Sequence, residues 1–472
     1  MHVSHRVSQQ REKGVALILS MIFLVVFSAF AVSMATLSST NLQVANNFTK
    51  ANRARACAES GMDIMRYWMN KVTIPGTTPE SERFATIASS LQAAMTAEEV
   101  TNLSAQHATN HIYIPMVTLD SSSNTRFFAV LFPVNSTKMS MYVLGYCESV
   151  LRTIKVDYLF GERASNVFDF GVATRGPLDL QGNIELTGVN ISVESNAYIE
   201  SMNDPLALSI IGNSQIGGDV DIANPIAYVD IQGGQSAIGG ETGQDGVDNH
   251  VEFGVPVAEF PQPDTTYFEP YATNVFDPDT TDTSSDVQLE NLRIPANTNP
   301  HFSAHADLKG VIFIETPNVV TFTGSVNLTG VIVGDGDWTD DSGTNQINIT
   351  GNVDGYSVSE LPQTSEFTGL HDDIGTFIMA PGFAISIGGS FSTLSGAIAG
   401  NGIEFFGDAG GTIQGSIINY SDETMTLSGN SDLFFNRSGL DDVPAGFVPE
   451  IIMDYDATSY SEPMIQSLDL ET

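Results

Sequence analysis

The sequence predicts an N-terminal transmembrane α-helix, a small α+β head and then a mainly-β region that forms a right-handed parallel β-helix. An uncharged apolar segment at residues 15–37 predicts the first, and a helix followed by alternating strands within residues 73–167 predicts the second. Glycine-plus-strand units that recur about every twenty residues after residue 168 predict the third. At 472 residues the chain is long enough for two or three domains.

The apolar segment at residues 15–37 contains no charged residue, proline or glycine. As a helix rising about 1.5 Å per residue it covers the roughly 30 Å hydrocarbon core of a bilayer. Arg6, Arg11 and Lys13 precede it, whereas a strongly acidic region follows. The positive-inside rule therefore predicts a single-pass inner-membrane protein with a cytoplasmic N-terminus and a periplasmic or extracellular bulk.

The junction Lys13-Gly14-Val15 directly before this segment resembles the class III leader of type IV pilins, in which prepilin peptidase cuts after the glycine. The resemblance implies that residues 1–14 are a leader and that Val15 becomes a methylated N-terminus. It also implies the partners of such proteins: the membrane, prepilin peptidase, other pilins or pseudopilins, and the inner-membrane assembly platform.

Two further features refine the resemblance. Leu19 stands five residues into the expected mature chain, where the family usually has a glutamate that pairs with a neighbouring subunit. The alanine-rich stretch at residues 54–62 is similar to the segment that follows the membrane span in proteins of the PilX N-terminal class. Together they imply a minor pilin or pilin-related assembly protein of a type IV pilus or type II secretion-like system.

Residues 15–72 are expected to form one extended helix, because an apolar seam from Val44 to Val72 continues beyond the membrane span. The head at residues 73–167 contains a predicted helix at 82–95. Predicted strands follow at 111–119, 126–134 and 138–160, the last turning near Glu148. A helix packed on an antiparallel meander is the plan of a pilin head, so this region is pilin-like by analogy.

The β-helix is predicted from units such as residues 308–314, 328–333, 394–399 and 413–418, each with a glycine at the third position. A β-sandwich would lack this fixed repeat. We assign residues 168–238 and 301–440 to the two parts of the β-helix. Residues 239–300 are a Pro- and Asp-rich insertion, and residues 441–472 an irregular acidic tail.

The charge balance is acidic, with 18 basic and 56 acidic residues and a net charge of −38. It disfavours binding to nucleic acid. Asp335, Asp337, Asp340 and Asp341 place oxygen ligands in one loop, so calcium is the one cofactor for which a candidate site is predicted. The alternative is a solvated acidic turn.

The two cysteines, Cys57 and Cys147, lie on the outer side of the predicted membrane, where disulfides persist. A disulfide would join the long helix to the head sheet. Two unbridged buried thiols are the alternative, because a sequence gives no distance between them.

Catalysis is not predicted. A polysaccharide lyase needs basic residues, and beyond Arg175 this region has three scattered ones, Arg293, Lys309 and Arg437. A glycosidase needs only carboxylates, which Asp372 and Asp373 beside His371 could supply. No further motif accompanies that pair. We therefore expect a structural or adhesive protein. The alternatives are a signal-anchored surface adhesin without a pilus partner and a β-helix glycoside hydrolase.

Overall fold

The computed structural model describes residues 8–97, 100, 103–108, 110–122, 124–339, 343–438 and 443–463, with side chains from residue 15 onward. The chain divides into two compact units. Unit 1 contains the residues up to 74, residues 78–161 and the residues from 451 onward. Unit 2 contains residues 75–77 and 162–450, so the sequence of unit 2 is inserted into that of unit 1.

Unit 1 begins with two helices and an antiparallel sheet. The helices are α1 (Ser8–Met69) and α2 (Arg83–Ala97). The strands are β1 (Gln106–Ala108), β2 (His111–Asp120), β3 (Thr125–Asn135), β4 (Lys138–Cys147) and β5 (Val150–Arg163). Each strand pairs with the next in antiparallel register.

The core of unit 1 lies between the helices and one face of this sheet. On α2, Ile87, Leu91 and Met95 are buried at a spacing of four, which places them on one side of the helix. On the sheet, alternate side chains of β4 such as Met139, Met141 and Val143 are buried against the helices. The predicted head helix and strands are therefore present, with ends that differ by a few residues.

Unit 2 starts with short strands separated by turns. They are β6 (Val172–Thr174), β7 (Leu178–Gly182), β8 (Glu185–Gly188), β9 (Ala197–Ile199), β10 (Leu206–Gly212), β11 (Gln215–Ile216), β12 (Val220–Ile222), β13 (Tyr228–Gln232), β14 (Ala237–Ile238), β15 (Glu241–Thr242) and, after the helix α3 (Gln244–His250), β16 (Val251–Phe253).

Further short strands follow a long connection. They are β17 (Asn274–Val275), β18 (Val287–Ile294), β19 (His301–Phe302), β20 (Ala306–Ile314), β21 (Val319–Phe322), β22 (Val326–Gly334), β23 (Gln346–Ile349), β24 (Val353–Tyr356), β25 (Thr376–Ala380), β26 (Ala384–Ile387), β27 (Thr393–Leu394), β28 (Ala397–Gly400), β29 (Ile403–Phe405), β30 (Gly411–Ile413), β31 (Ile417–Asn419), β32 (Met425–Gly429) and β33 (Asp432–Phe435).

The described strands of unit 2 form three sheets, of 12, 9 and 7 strands. The chain visits all three in turn in residues 172–242 and 376–435, and it alternates between the 12- and 9-stranded sheets in residues 287–356. One such circuit is called a rung here. Neighbouring rungs pair in parallel, as β20 does with β22, where Gly310 lies opposite Gly330. Leucine, isoleucine and phenylalanine side chains from all three sheets share one buried core.

The order of the rungs differs from their order in the sequence. In the 12-stranded sheet the path runs β16-β12-β9-β6-β31-β28-β25-β22-β20-β18-β17. The chain therefore enters in the middle of the stack, moves out to β16, crosses by a long connection to β17, and returns until β31 pairs with β6. The two ends of the segment 162–450 consequently meet, with Arg163 Nε 3.1 Å from Glu450 Oε2.

One corner of five successive rungs carries a glycine with positive φ. These glycines are Gly407, Gly429, Gly182, Gly212 and Gly233. Each takes a left-handed conformation that side chains disfavour, and the next residue turns into the third sheet. Asparagines follow three of them, and their side-chain amides form a ladder: Asn430 Nδ2 donates to Asp408, Asn183 Nδ2 to Asn430, and Asn213 Nδ2 to Asn183.

Two predicted segments differ from the structure. The residues predicted as an acidic tail contain strand β34 (Glu450–Ser461), which completes the sheet of unit 1 beside β5. Alternating apolar residues of β34, such as Ile451 and Met453, pack on the core of unit 1. The alternation is short and lies among acidic residues, so the sequence did not predict a strand there. The predicted insertion at 239–300 also contributes β16 and β18 to the 12-stranded sheet.

Candidate functional site

Residues 15–49 of α1 form an uncharged and exposed stretch. Every residue from 15 to 49 is exposed, and none carries a charge. Among the described residues, α1 is the one helix long and apolar enough to cross a membrane. It fits a single-pass membrane anchor.

The hydroxyl groups of residues 15–37 are satisfied within the helix. They donate to carbonyl oxygens one turn earlier: Ser20 to Leu17, Ser28 to Leu24, Ser33 to Ala29 and Thr36 to Val32. An unpaired hydroxyl would be costly in hydrocarbon, so these bonds make the segment compatible with a bilayer.

The residues of the predicted cleavage site lie in this part of α1. Gly14 lies in the helical backbone, and Val15 is the first residue whose side chain is described. Leu19 is exposed one turn later. The first acidic residue after Val15 is Glu59, so the exposed half of α1 offers no carboxylate in place of the one missing at Leu19.

The second half of α1 packs on the sheet. Its buried residues recur every three or four positions: Ala54, Cys57, Ala58, Gly61, Met62, Met65, Trp68 and Met69. The predicted seam is therefore correct for this half but wrong for Val44 and Phe48, which are exposed. The helix contacts the sheet only from Ala54 onward. The spacing of apolar residues alone therefore does not predict where the contact between helix and sheet begins.

Glycine allows α1 and the sheet to approach closely at two places. A Cβ on Gly145 of β4 would lie 2.2 Å from the Ala54 carbonyl oxygen and 2.4 Å from the Ala58 nitrogen. A Cβ on Gly61 of α1 would lie 2.6 Å from the Phe127 ring. Neither glycine was singled out from the sequence, although small residues at positions 54, 58 and 61 are a signal of close packing.

Charged groups of unit 1 are paired around this interface. Arg55, which interrupts the apolar seam, pairs with Glu59 at 3.1 Å and with Glu462, after β34, at 2.8 Å. The nearly buried carboxylate of Asp157 on β5 lies 2.5 Å from Lys138 Nζ and 3.0 Å from Lys155 Nζ.

The Asp157 carboxylate also accepts a hydrogen bond of 2.6 Å from Ser140 Oγ. Burial opposes ionisation of Asp157. Hydrogen bonds from Lys138, Ser140 and Lys155 nevertheless outweigh this effect and lower the pKa of the carboxyl group below its usual value.

The two cysteines are buried free thiols in the structure. Both lie beside Thr125: Cys147 pairs with it in the sheet, and Cys57 is hydrogen-bonded to it from α1. Burial raises the pKa of the Cys57 thiol. Of the two predicted alternatives, the structure therefore contains the unbridged pair.

The predicted calcium loop uses its described carboxylates for local hydrogen bonds. Asp335 accepts a bond from the Thr316 nitrogen at 2.5 Å, and Asp337 accepts one from the Thr339 nitrogen at 3.0 Å. Asp340 and Asp341 lie outside the described residues. Within the described part of the chain, His, Cys, Asp and Glu side chains form no group of three that could hold a metal ion. The calcium site stays a prediction.

The carboxylate pair considered for glycoside hydrolysis is divided between two environments. Asp373 accepts hydrogen bonds from Tyr267 Oη at 2.5 Å and Tyr271 Oη at 2.9 Å, whereas Asp372 is exposed. Burial and the hydrogen bond to Asp373 raise the pKa of Tyr271 to about 12. Through these hydrogen bonds, Asp373 joins the segment before β25 to the long connection that precedes β17. This is a structural role.

Comparisons with known proteins add little. No family model and no curated protein matches the chain. Among solved structures, the crystal structure of competence-associated pilin ComZ from Thermus thermophilus is similar, with 12% sequence identity and a TM-score of 0.23. The alignment covers 88% of this chain and 98% of that chain.

Proposed function

We propose that this protein is a minor pilin or pilin-related assembly protein of a type IV pilus or type II secretion-like system. The observation that carries the proposal is the division of α1. Residues 15–49 are uncharged and exposed, while one side of the helix from Ala54 onward is buried on an antiparallel sheet. A soluble head held by half of a helix leaves the other half for the membrane and then for neighbouring subunits.

The leader supports a particular route into the membrane. Prepilin peptidase would cleave between Gly14 and Val15, and the basic residues before Gly14 would keep the N-terminus in the cytoplasm. The absence of a glutamate at Leu19 favours a minor, PilX-like position over one in the filament shaft. The bulk of the chain would then lie outside the inner membrane, beside other pilins and the assembly platform.

Unit 2 is, in this proposal, a right-handed parallel β-solenoid displayed by the head, with a structural or adhesive role. The in-register pairing of Gly310 with Gly330 and the ladder through Asn183 support this description. The strongly acidic composition suits an extracytoplasmic surface.

Filament incorporation tests this function. Phe48 lies on the exposed part of α1, so Phe48→Asp should prevent copurification of the chain with sheared surface filaments. Asn47→Asp adds the same charge at the next exposed position and is the matched control, which should still copurify. Absence of the unsubstituted chain from filaments and from pseudopilus fractions would favour the signal-anchored adhesin.

A further inference from the structure

An elongated groove of about 630 Å³ runs along one corner of unit 2. Its lining comes from described residues of the turns that join the 12-stranded sheet to the 9-stranded sheet in five successive rungs, after β22, β25, β28, β31 and β6. Neighbouring strands are about 4.8 Å apart, so these five turns extend over roughly 19 Å. The groove therefore has the dimensions of a site for an extended chain.

Among the described residues, an arginine without a close ion pair lies in the groove, and Glu200 is the carboxylate whose charge interacts with it. The Nε of Arg175 is buried and has no hydrogen-bond partner, and its guanidinium forms no ion pair with the described residues. The other arginines of unit 2 each pair with a carboxylate: Arg163 with Glu450, Arg293 with Glu269 and Glu315, and Arg437 with Asp169. A buried donor without an acceptor is unfavourable, and a ligand oxygen would supply the missing acceptor.

Aromatic rings hold this guanidinium in place. Its Cζ lies 4.3 Å from the centroid of the Trp338 ring and 5.1 Å from that of Phe260. Tyr420 packs against Trp338 at 5.0 Å, and its hydroxyl donates to the Pro261 carbonyl at 2.5 Å. Arg175 is thus positioned by rings, which leaves its N–H donors for a ligand.

Carboxylates and small residues complete the lining. Asp422 and Glu423 are exposed at the turn after β31 and offer acceptors near Arg175. Gly382 and Gly402 line the groove without side chains, so a ligand can approach the backbone. The groove therefore offers both donors and acceptors beside an aromatic ring.

We propose that this groove binds a neutral oligosaccharide. Sugar hydroxyls accept hydrogen bonds from Arg175 and donate to Asp422 and Glu423, and sugar C–H faces pack on Trp338. The carboxylates of Asp422 and Glu423 would repel an anionic chain such as a nucleic acid or a polyuronate, which disfavours its binding. The inference rests on the adhesive part of the proposed function, but the groove can be tested independently of filament assembly.

The test uses the full chain in a detergent without a sugar headgroup. A glycan array with neutral and acidic members is probed first, and the best neutral hexasaccharide is then titrated calorimetrically. We expect retention of neutral glycans, with Arg175→Gln weakening the affinity about tenfold or more, a loss of about 1.4 kcal/mol. Lys309→Gln removes the same charge from a lysine that pairs with Asp307 outside the groove, and should bind like the unsubstituted chain.

A second variant guards against misfolding of Arg175→Gln. Glu423→Gln changes an exposed carboxylate to an amide of the same size, keeps the fold, and should weaken binding about threefold or more. Retention of no glycan, preference for acidic glycans, or affinity unchanged in both variants would overturn the proposal. Arg175→Gln should still enter filaments, so a failure of glycan binding and a failure of assembly are separate results.

Discussion

The side-chain amide of Asn183 donates a hydrogen bond of 2.8 Å to Asn430 Oδ1, although 247 positions separate the two residues. The bond joins the first rung of unit 2 to its last, and the same ladder continues to Asn213 on one side and Asp408 on the other. Because the last rung pairs with the first, the chain leaves unit 2 beside the point where it entered. A large unit can therefore be inserted between β5 and β34 without separating the two strands.

The glycines at this corner should tolerate no side chain. Gly182 has a φ of +122°, and a Cβ there would lie 2.3 Å from the Gly429 carbonyl oxygen. We expect Gly182→Ala to lower the free energy of unfolding of unit 2 by about 2–4 kcal/mol, from backbone strain and the clash. Gly234→Ala is the control, because nothing lies within 4 Å of that position. Chemical denaturation of the detergent-solubilised chain measures both, and equal effects would contradict the prediction.

Docking of α1 on the head should depend on Gly145. Because a Cβ there meets backbone atoms of Ala54 and Ala58, which cannot rotate away, Gly145→Ala should destabilise unit 1 by about 2–3 kcal/mol. In Gly161→Ala on β5, the new Cβ meets side-chain atoms of Ile452 and Asp454, the nearest at 3.3 Å, so this change should cost less than about 1 kcal/mol. Hydrogen exchange of the α1 amides after residue 54 reports the docking, and unchanged protection in Gly145→Ala would count against it.

Asp157 should make unit 1 less stable at acidic pH. Folding lowers the pKa of this carboxyl below its ordinary value of 3.8, so its contribution is complete above that pH and is lost as the pH falls through the folded pKa. At neutral pH, Asp157→Asn should cost about 3 kcal/mol, because two lysines lose their anion.

The difference in stability between Asp157→Asn and the unsubstituted chain should shrink below pH 3.8. Asp63→Asn, at an exposed position of α1, is the control and should leave stability nearly unchanged at either pH. A difference for Asp157→Asn that stays constant with pH would show that its charge is not the cause.

The two cysteines should be free but protected. Both thiols are buried, and burial raises the pKa of Cys57, so the thiolate that reacts is scarce. Iodoacetamide should therefore label neither cysteine in the native protein and both after denaturation without reductant. Intact mass measures this directly. Labelling that requires reductant would show a disulfide between Cys57 and Cys147.

Asp373 should stabilise unit 2, whereas Asp372 should not. Asp373→Asn weakens two tyrosine hydrogen bonds and should cost about 1–2 kcal/mol, while Asp372→Asn should change stability by less than about 0.5 kcal/mol. Because folding raises the pKa of Tyr271 from 10.0 to about 12, the stabilisation is present below pH 10.0 and is lost as the pH rises through about 12. Polysaccharide turnover abolished by both variants without a change in stability would favour the glycoside hydrolase.

Local patterns predicted much of the fold. The uncharged segment after Val15, the head strands that turn at Glu148 and the glycine repeat at Gly310 and Gly330 are properties of neighbouring residues, and the structure contains each of them. The apolar periodicity wrongly predicted that Val44 and Phe48 pack on the head, because the same spacing of apolar residues continues into the exposed part of α1.

Long-range pairing could not be predicted. The contact of Asn183 with Asn430 and the addition of β34 to the head sheet join distant segments, and no local period reveals them. The groove was missed for the same reason. Trp338 and Arg175 are separated in sequence and meet only because rungs from two parts of the chain stack together.

The mature N-terminus tests the central claim most directly. The full chain would be purified from the envelope of cells with and without prepilin peptidase, and its N-terminal peptide and intact mass determined. The account predicts a methylated chain that begins at Val15 in cells with the peptidase and an uncleaved chain without it. A chain that retains residues 1–14 in both would contradict the pilin pathway and leave a signal-anchored surface protein.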